Sequence, residues 1–210
     1  DDDVLPVEGV DFLGEHWKML ETPRIQHWWP VVTDFSLRGF PYGIRNDLAK
    51  VKPMLNHGLW IGFPDIDAVL QMSEPEARTI FAGKLAITPK QQLIPSGYYF
   101  TLCGMNFACR REVAPFIYFP KLPNGLTRWD DIWMGIIFKR LADSFNWTVT
   151  SGLPMLYHER ASAPLNNLMQ EFLGYGINEQ LWEIVDRRIE PQHDNPLVDY
   201  NILTGRIAEA

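Results

Sequence analysis

The sequence is poor in cysteine and in positive charge, and each shortage excludes a class of protein. Its 210 residues include two cysteines, Cys103 and Cys109, which are too few for a disulfide framework and do not stand at zinc-ligand spacing. The formal net charge is −7, which argues against a nucleic-acid surface because binding phosphates takes clustered Lys and Arg. No uninterrupted apolar run approaches the length of a membrane span, and no internal repeat occurs. These shortages favour a globular protein of a reducing compartment.

The chain does hold enough apolar material for a sizeable core, with hydrophobic residues at 46%. Helical spacing of apolar residues predicts helices in VDFLGEHWKMLETP, in RWDDIWMGIIFKRLADSFN, and from LNNLMQEFLGYG through EQLWEIVDRRI. A polar tail is expected after Pro191. A short helix is also predicted in NDLAKVKPML.

Strands are predicted in HGLWIGF, before a Pro-Asp turn, and in the β-rich run WTVTSGLPMLYH. The stretch YYFTLCGMNFACRREVAPFIY is expected to form strand, turn, strand and then a helix from about Arg111. A mixture of strands and helices of this kind indicates an α/β domain.

The chain begins with three consecutive acids, Asp1, Asp2 and Asp3. On a strand, alternation would put Asp1 and Asp3 on one side, where two carboxylates can hold a hard divalent cation that bridges to phosphates. The alternative is a frayed acidic terminus. His158 follows the β-rich run and would suit a third ligand position, since imidazole favours Mn²⁺ over Mg²⁺. A lone histidine is more often structural.

Asp130 and Asp131 stand in the first turn of the clearest predicted helix. The helix dipole favours carboxylates there, and both can act as N-terminal caps. In the functional alternative, one caps the helix while the other faces a cleft and orients or deprotonates a sugar hydroxyl. The residues alone leave both alternatives open.

Five stretches taken in order, together with the triple Asp, resemble the motifs of one family. The family is the reversibly glycosylated polypeptides, the UDP-arabinopyranose mutases, also called α-1,4-glucan-protein synthase (UDP-forming). The stretches are RGFPYGIRND, HGLWIGFPDIDA, LCGMNFACRRE, RWDDIWMG and GLPMLYHERASAP, and the similarity runs from about Asp1 to Glu171. Ordered motifs at compatible spacing are a far more specific signal than any single one. The chain departs from the pattern at Arg110, where the family has Asp, and after Arg45, where Asn-Asp replaces Glu-Gly.

The resemblance implies an α/β fold of the GT-A-like nucleotide-sugar transferase type. In such a fold the triple Asp ends a central strand and forms the Asp-x-Asp element that holds a metal beneath the nucleotide diphosphate. We therefore expect the chain to be the C-terminal part of a longer protein, lacking its N-terminal nucleotide-binding half. Residues 1–160 would be the C-terminal part of the catalytic domain, and residues 161–210 a helical C-terminal tail that packs on it or extends from it.

The resemblance also implies roles for particular residues. Arg45 matches the arginine that becomes glycosylated, and Asp130 and Asp131 match the paired acids, so these three are the expected catalytic residues. Asp1, Asp3 and His158 would hold Mn²⁺ or Mg²⁺. Further residues in the family motifs are expected to contact the substrate: His57, Trp60, Asp65, Asp67, Gly104 and Asn106.

The activity implied is that of a metal-dependent, self-glycosylating UDP-sugar mutase, which interconverts UDP-arabinopyranose and UDP-arabinofuranose for cell-wall polysaccharide biosynthesis. Two alternatives stay open: a GT-A glycosyltransferase acting on a separate acceptor, and a catalytically degenerate subunit of a hetero-oligomer. The expected partners are a UDP-sugar and, in a homo- or hetero-oligomer, further subunits, with no nucleic acid and no transmembrane segment. The expected location is cytoplasmic, or peripheral to the Golgi in a eukaryote.

Overall fold

The structure is a computed structural model that describes residues 4–21, 24–26, 48–63, 65–73, 91–122, 126–159, 163–187 and 194–208. The triple Asp at the start of the chain and Arg45 lie outside these ranges. In chain order, the strands are β1 (Val4–Pro6), β2 (Arg24–Gln26), β3 (Leu48–Lys50), β4 (Pro53–Gly62), β5 (Gln92–Leu93), β6 (Phe107–Cys109) and β7 (Thr148–His158). The helices are α1 (Phe12–Glu21), α2 (Ala68–Ser73), α3 (Asp130–Ser144), α4 (Pro164–Arg187) and α5 (Pro196–Ala208). A 3₁₀ turn covers Ala114–Phe116.

The main sheet is built around the parallel pair β4 and β7, and it has the strand order β1-β7-β4-β6. β1 pairs antiparallel with the end of β7, β5 pairs antiparallel with its first half, and β6 pairs antiparallel with β4. A separate two-stranded antiparallel sheet consists of β2 and β3. The mixture of strands and helices confirms an α/β fold. The GT-A type and the absent nucleotide-binding half remain predictions.

Two apolar clusters form the core, and α3 contributes to both. On the sheet side, Met134, Phe138 and Leu141 of α3 pack with Leu55 of β4 and Val149 of β7. On the other side, Trp133 and Ile136 of α3 pack with residues of the C-terminal helices: Leu181, Val185 and Leu203. Because apolar residues cover both sides of α3, this helix lies between the sheet and the two C-terminal helices. The division at residue 160 stays a prediction.

The long helices were predictable, whereas several shorter elements were not. Helices over α1, α3 and α4 and strands over β4 and β7 are confirmed. The short helix predicted in NDLAKVKPML is wrong: residues 48–50 pair with β2, and Pro53 begins β4. The stretch after Pro191, expected to be the polar end of a helical tail, holds the helix Pro196–Ala208. The helix expected from about Arg111 is only the 3₁₀ turn.

No helix in the part of the chain that the structure describes is long and apolar enough to cross a membrane.

Candidate functional site

Three of the family-like stretches meet at Cys103 and Gly104, which we call the Cys103–Gly104 loop. The backbone N–H of Cys103 donates to His57 Nε2 at 3.4 Å, and its thiol is hydrogen-bonded to the Asp65 carboxylate. The backbone N–H of Gly104 donates to Asp131 Oδ2 at 2.8 Å. The structure thus brings HGLWIGFPDIDA, LCGMN and RWDD together at one place.

Asp131 is the paired acid that faces this loop. Besides its bond from Gly104, its Oδ1 accepts the N–H of Ile132 at 2.8 Å. Burial raises the pKa of the Asp131 carboxyl, and the negative charges of Asp65 and Asp130 raise it further, although the two backbone N–H groups act against this. A half-buried carboxyl with a raised pKa is suited to accept and return a proton.

The expectation that one of the two acids caps the helix is wrong. α3 begins at Asp130, so both acids lie in its first turn, but the N-cap residue is Trp129, which makes no side-chain capping bond. The Asp131 carboxylate instead receives the N–H of Ile132, one of the first-turn donors that have no partner within the helix.

Cys103 keeps its proton in this environment. Burial raises the pKa of its thiol, and the neighbouring Asp65 carboxylate raises it further. The thiol therefore donates its hydrogen bond to Asp65, whose side chain is otherwise exposed. This arrangement leaves Asp65 accessible from the surface while one side of its carboxylate is fixed.

His57 lies beneath the loop rather than at the surface, with only 4% of the residue exposed. Its Nδ1 is 3.0 Å from Ser151 Oγ. Since Nε2 accepts the Cys103 N–H, the proton belongs on Nδ1 and is donated to Ser151. Burial lowers the pKa of His57 to about 4, so the ring is neutral at pH 7. The structure assigns it a supporting position under the Cys103–Gly104 loop.

Asn106 is also buried, at 1% exposure, and it bonds to protein groups. Its amide nitrogen donates to the carbonyls of Leu59 and Pro154, at 2.8 and 3.0 Å, and its Oδ1 is 2.9 Å from His16 Nε2. These bonds fasten the segment after the Cys103–Gly104 loop to both β4 and β7. The expected substrate contact of Asn106 stays a prediction.

The remaining predicted substrate residues lie around the same loop. Trp60 is half-buried, with its ring against His57 at a centroid separation of 6.2 Å. Asp67 is exposed, and its carboxylate accepts the N–H of Leu70 in the first turn of α2. A Cβ at Gly104 would stand 3.3 Å from both Asp131 and Phe119, so a side chain there would press directly on the Asp131 carboxylate.

His158 ends β7 opposite Val4, the residue bonded to Asp3. Its Nδ1 is 2.9 Å from the carbonyl oxygen of Phe63, to which it donates. Asp1 and Asp3 lie outside the described residues, so the three-ligand set stays a prediction. Within the described ranges, no three His, Cys, Asp or Glu residues are grouped so that they could hold a metal ion.

Sequence reasoning did not single out two residues that matter here, Cys103 and Glu171. Cys103 stands inside the LCGMN stretch, in which Gly104 and Asn106 were the residues predicted to contact the substrate. Glu171 is the only charged residue in PLNNLMQEFLGYGIN, yet it is 6% exposed. A single acid inside a long uncharged helical segment is a signal that could have found it, since a buried charge needs partners.

Comparison with known proteins agrees with the motifs. The family model described as "Reversibly glycosylated polypeptide" matches residues 5–191. The chain is 35% identical over 183 residues to "Probable UDP-arabinopyranose mutase 4" of Arabidopsis thaliana, covering 82% of this chain and 48% of that protein. It is 34% identical over 183 residues to "UDP-arabinopyranose mutase 1" of the same plant, covering 83% and 49%.

A relative from Pisum sativum, "Probable UDP-arabinopyranose mutase 1", is 33% identical over 182 residues, covering 82% of this chain and 48% of that protein. The chain therefore spans about half the length of the curated relatives it matches.

Proposed function

The chain belongs to the reversibly glycosylated polypeptide family, and from this membership we propose that it acts in the interconversion of UDP-arabinopyranose and UDP-arabinofuranose. The observation that carries the proposal is the meeting of three family motifs at the Cys103–Gly104 loop, with the carboxylates of Asp65 and Asp131 bonded to that loop from two sides. A carboxylate pair beside a loop is suited to bind and deprotonate sugar hydroxyls.

Ring contraction sets the chemical demands on this site. The bond between the anomeric carbon and UDP must break. The bond between the anomeric carbon and the ring oxygen must also break, and the ring must close again through a different hydroxyl. The old ring oxygen gains one proton while the attacking hydroxyl loses one, so a single acid–base group can serve both oxygens. Asp131 fits that task, because burial raises the pKa of its carboxyl toward the range in which it can both give and take a proton.

Arg45 is proposed to hold the sugar while UDP stays bound. The anomeric carbon would pass from the UDP oxygen to a guanidinium nitrogen, which gives up a proton, and the reverse transfer would restore both. Arginine is a poor nucleophile because its guanidinium stays protonated. A neighbouring carboxylate must therefore take that proton.

Asp1, Asp3 and His158 are the residues that would hold Mn²⁺ or Mg²⁺. His158 Nδ1–H donates to the Phe63 carbonyl, so Nε2 is the basic nitrogen of the ring. Metal-binding histidines usually donate their other N–H in this way. Val4, which follows Asp3 in the sequence, pairs with His158 at the end of β7. A bound divalent cation would offset the charge of the nucleotide diphosphate against an acidic protein.

The test uses protein from the complete reading frame, incubated with UDP-arabinopyranose and Mn²⁺, with the nucleotide sugars separated by chromatography. We expect UDP-arabinofuranose to form, and a labelled UDP-sugar to leave a label on the protein that UDP displaces. Arg45→Ala should abolish both while sparing UDP binding. Transfer of sugar to a separate acceptor would favour a glycosyltransferase, and failure to bind UDP-sugar would favour a degenerate subunit.

A second prediction concerns the acid–base group. Asp131→Asn should lower the mutase rate by about 10²–10⁴-fold, the usual contribution of a positioned acid or base. The variant keeps one acceptor, for the Gly104 N–H, and loses the bond from the Ile132 N–H, so circular dichroism should first show that it folds. Asp130→Asn is the matched control and should have a much smaller effect.

The pH dependence follows from the direction of the shift. Because burial raises the pKa of Asp131, activity that needs its carboxylate should fall off on acidification at a higher pH than an ordinary Asp would give. Equal rates for the two Asn variants would contradict the acid–base role.

A further inference from the structure

Glu171 lies on the inner side of α4, against the two loops that carry the carboxylates of the site. It is 6% exposed. Its Oε2 accepts the backbone N–H of Ala68 and the hydroxyl of Tyr175, each at 2.9 Å. Its Oε1 is 3.3 Å from Nε of Arg128. One buried carboxylate thus holds donors from three separate parts of the chain.

Two of these donors adjoin the site directly. Ala68 begins α2 immediately after the Asp65–Asp67 segment, and Arg128 immediately precedes the segment that leads through Trp129 into the paired acids. Glu171 therefore connects the loop of Asp65 to the loop of Asp131 through contacts separate from those of the Cys103–Gly104 loop.

The Arg128 backbone is held in an unfavourable conformation. Its φ of 68° lies in the left-handed region, which a residue other than glycine adopts rarely and at an energetic cost. The side chain of the same residue is held by its ion pair with Glu171. Such outliers persist only where the surrounding structure determines them, and they concentrate at functional sites.

A second contact fastens the same segment to α4. The indole Nε1 of Trp129 donates to the backbone carbonyl of Glu171 at 3.2 Å. A Cβ at Gly174 would lie 2.0 Å from that nitrogen, so the close approach of the indole to α4 requires glycine there. The side chain and the backbone of Glu171 therefore hold Arg128 and Trp129 respectively.

We propose that Glu171 is a positioning residue, which sets the Asp65 and Asp131 carboxylates at their places around the Cys103–Gly104 loop. The inference rests on the proposed function only for its effect on catalysis. A buried charge is weak as a stabilising device, because apolar residues of similar volume often do as well. Its value here is geometric, since only a carboxylate offers acceptors to the Ala68 N–H, the Tyr175 hydroxyl and the Arg128 guanidinium at once.

Tyr175 is arranged to serve as a donor throughout the neutral range. Burial raises the pKa of its hydroxyl, and the hydrogen bond and negative charge of Glu171 raise it further. Replacing Glu171 by Gln would keep the shape but place an NH₂ group against either Arg128 or the pair Ala68 and Tyr175, all of which are donors.

The experiment compares wild type, Glu171→Gln and the control Glu179→Gln, which makes the same change at an exposed position of α4. The Asp131 carboxyl is titrated by carbon NMR after labelling the aspartates, with Asp131→Asn used to assign its signal. In wild type its pKa should stand above that of an ordinary Asp. In Glu171→Gln the pKa should fall toward the ordinary value, because the carboxyl is released from its buried place, and Glu179→Gln should match wild type.

The kinetic arm uses UDP-arabinopyranose and protein from the complete reading frame. Glu171→Gln should lower kcat by at least tenfold with KM changed less than threefold, and the acid limb of its pH–rate profile should move to lower pH. An Asp131 pKa equal to that of wild type in a folded Glu171→Gln protein would overturn the proposal.

The two arms separate the two hypotheses. If wild type shows no mutase activity, the proposed function fails, while the Asp131 titration still decides the positioning role. If Glu171→Gln yields no folded protein, Tyr175→Phe takes its place, since it removes one donor and leaves the carboxylate and the Arg128 pair. A smaller fall of the same sign in the Asp131 pKa is then expected, and an unchanged pKa would overturn the proposal.

Discussion

His57 connects the main sheet to the Cys103–Gly104 loop, with one ring nitrogen bonded on each side. Ser151 of β7 accepts from Nδ1 and the Cys103 N–H donates to Nε2. The bond from the Cys103 N–H needs the neutral ring, because the imidazolium carries a proton on Nε2 and cannot accept there, whereas the Nδ1–H bond to Ser151 can form in either state. Protonation of His57 would therefore break the link to the loop as well as place a charge in the interior.

This arrangement predicts that the protein loses stability in mild acid. The folded pKa of His57 is about 4 against 6.5 for an unperturbed ring, so between these values the unfolded chain binds more protons and stability falls as pH is lowered. A shift of this size corresponds to roughly 2 kcal/mol between pH 7 and pH 5. Urea unfolding at both pH values should show this fall in the free energy of unfolding. In His57→Asn the fall between pH 7 and pH 5 should be smaller than in wild type by about the same roughly 2 kcal/mol.

His16 also makes the protein less stable in acid, and this contribution is still present in His57→Asn. Burial lowers its pKa too, and it bonds to Asn56 and Asn106 in the neighbouring polar network. His57→Asn should therefore reduce the acid sensitivity without removing it. A loss between pH 7 and pH 5 that is equal in wild type and His57→Asn would exclude His57 as the responsible group.

Arg110 shows how a departure from the family pattern can have a structural use. Its guanidinium is 3.1 Å from Glu21 Oε1, donates to the Pro53 carbonyl at 2.9 Å, and also donates to the Leu20 carbonyl. A cation at the last turn of α1 satisfies a free carbonyl and interacts favourably with the helix dipole. The residue thus fastens α1 to the start of β4, and its contacts lie with these elements rather than with the Cys103–Gly104 loop.

At the scale of elements, the approach of α3 to the chain at Leu102 fixes where the paired acids lie. Gly135 is the contact point: a Cβ there would stand 2.6 Å from the Cβ of Leu102 and 2.7 Å from its backbone nitrogen. Leu102 immediately precedes the Cys103–Gly104 loop. The missing side chain at Gly135 therefore brings the first turns of α3 close to the loop, so that Asp131 can reach Gly104.

This contact predicts that replacing glycine by alanine changes the free energy of unfolding in opposite directions at two positions. Gly135→Ala should destabilise the protein by about 1–3 kcal/mol, as overpacking against a backbone does. Gly176→Ala, on α4, meets nothing within 4 Å and should stabilise by about 0.5–1 kcal/mol through helix propensity. Urea unfolding of both variants checks the pair. Stabilisation by Gly135→Ala would mean that α3 does not pack this closely.

The elements differ in how far their sequences predict them. α1, α3 and α4 carry apolar residues at helical spacing over ten residues or more, so local pattern suffices. The β2–β3 pair depends on partners about two dozen residues apart in the chain, which no local pattern reveals. α5 lies within the predicted helical tail, but its bounds were not predicted, although Tyr200, Leu203 and Ile207 repeat at helical spacing.

The candidate site was predictable in part. Family motifs indicate that Asp65, Gly104 and Asp131 belong together, and they do meet. Which of the paired acids faces the loop depends on the helix beginning at Asp130, a detail that sequence patterns locate only within a few residues. The buried positions of His57 and Asn106 depend on the pairing of β4, β6 and β7, which the motifs do not specify.

At the scale of the whole molecule, α3 joins the sheet to the C-terminal helices. Its residues are buried in both apolar clusters, and Tyr200 of α5 also packs edge-on against Phe116 of the sheet-side cluster, with ring centroids 5.5 Å apart. Glu171 adds a polar connection from α4 to the site. Loss of the C-terminal helices would therefore uncover one whole side of α3.

We accordingly expect the sheet and the C-terminal helices to unfold as one cooperative unit. Leu203 of α5 is fully buried, whereas Leu197 on the same helix is 50% exposed. Leu203→Ala should lower the free energy of unfolding by about 2–5 kcal/mol, and Leu197→Ala, the matched control, by no more than about 0.5 kcal/mol. Hydrogen exchange measured by mass spectrometry should show faster exchange in Leu203→Ala for β4 as well as for α5, because α3 transmits the loss to the sheet. Faster exchange confined to α5 would show that the C-terminal helices unfold separately, and a domain boundary near residue 160 would then be the better description.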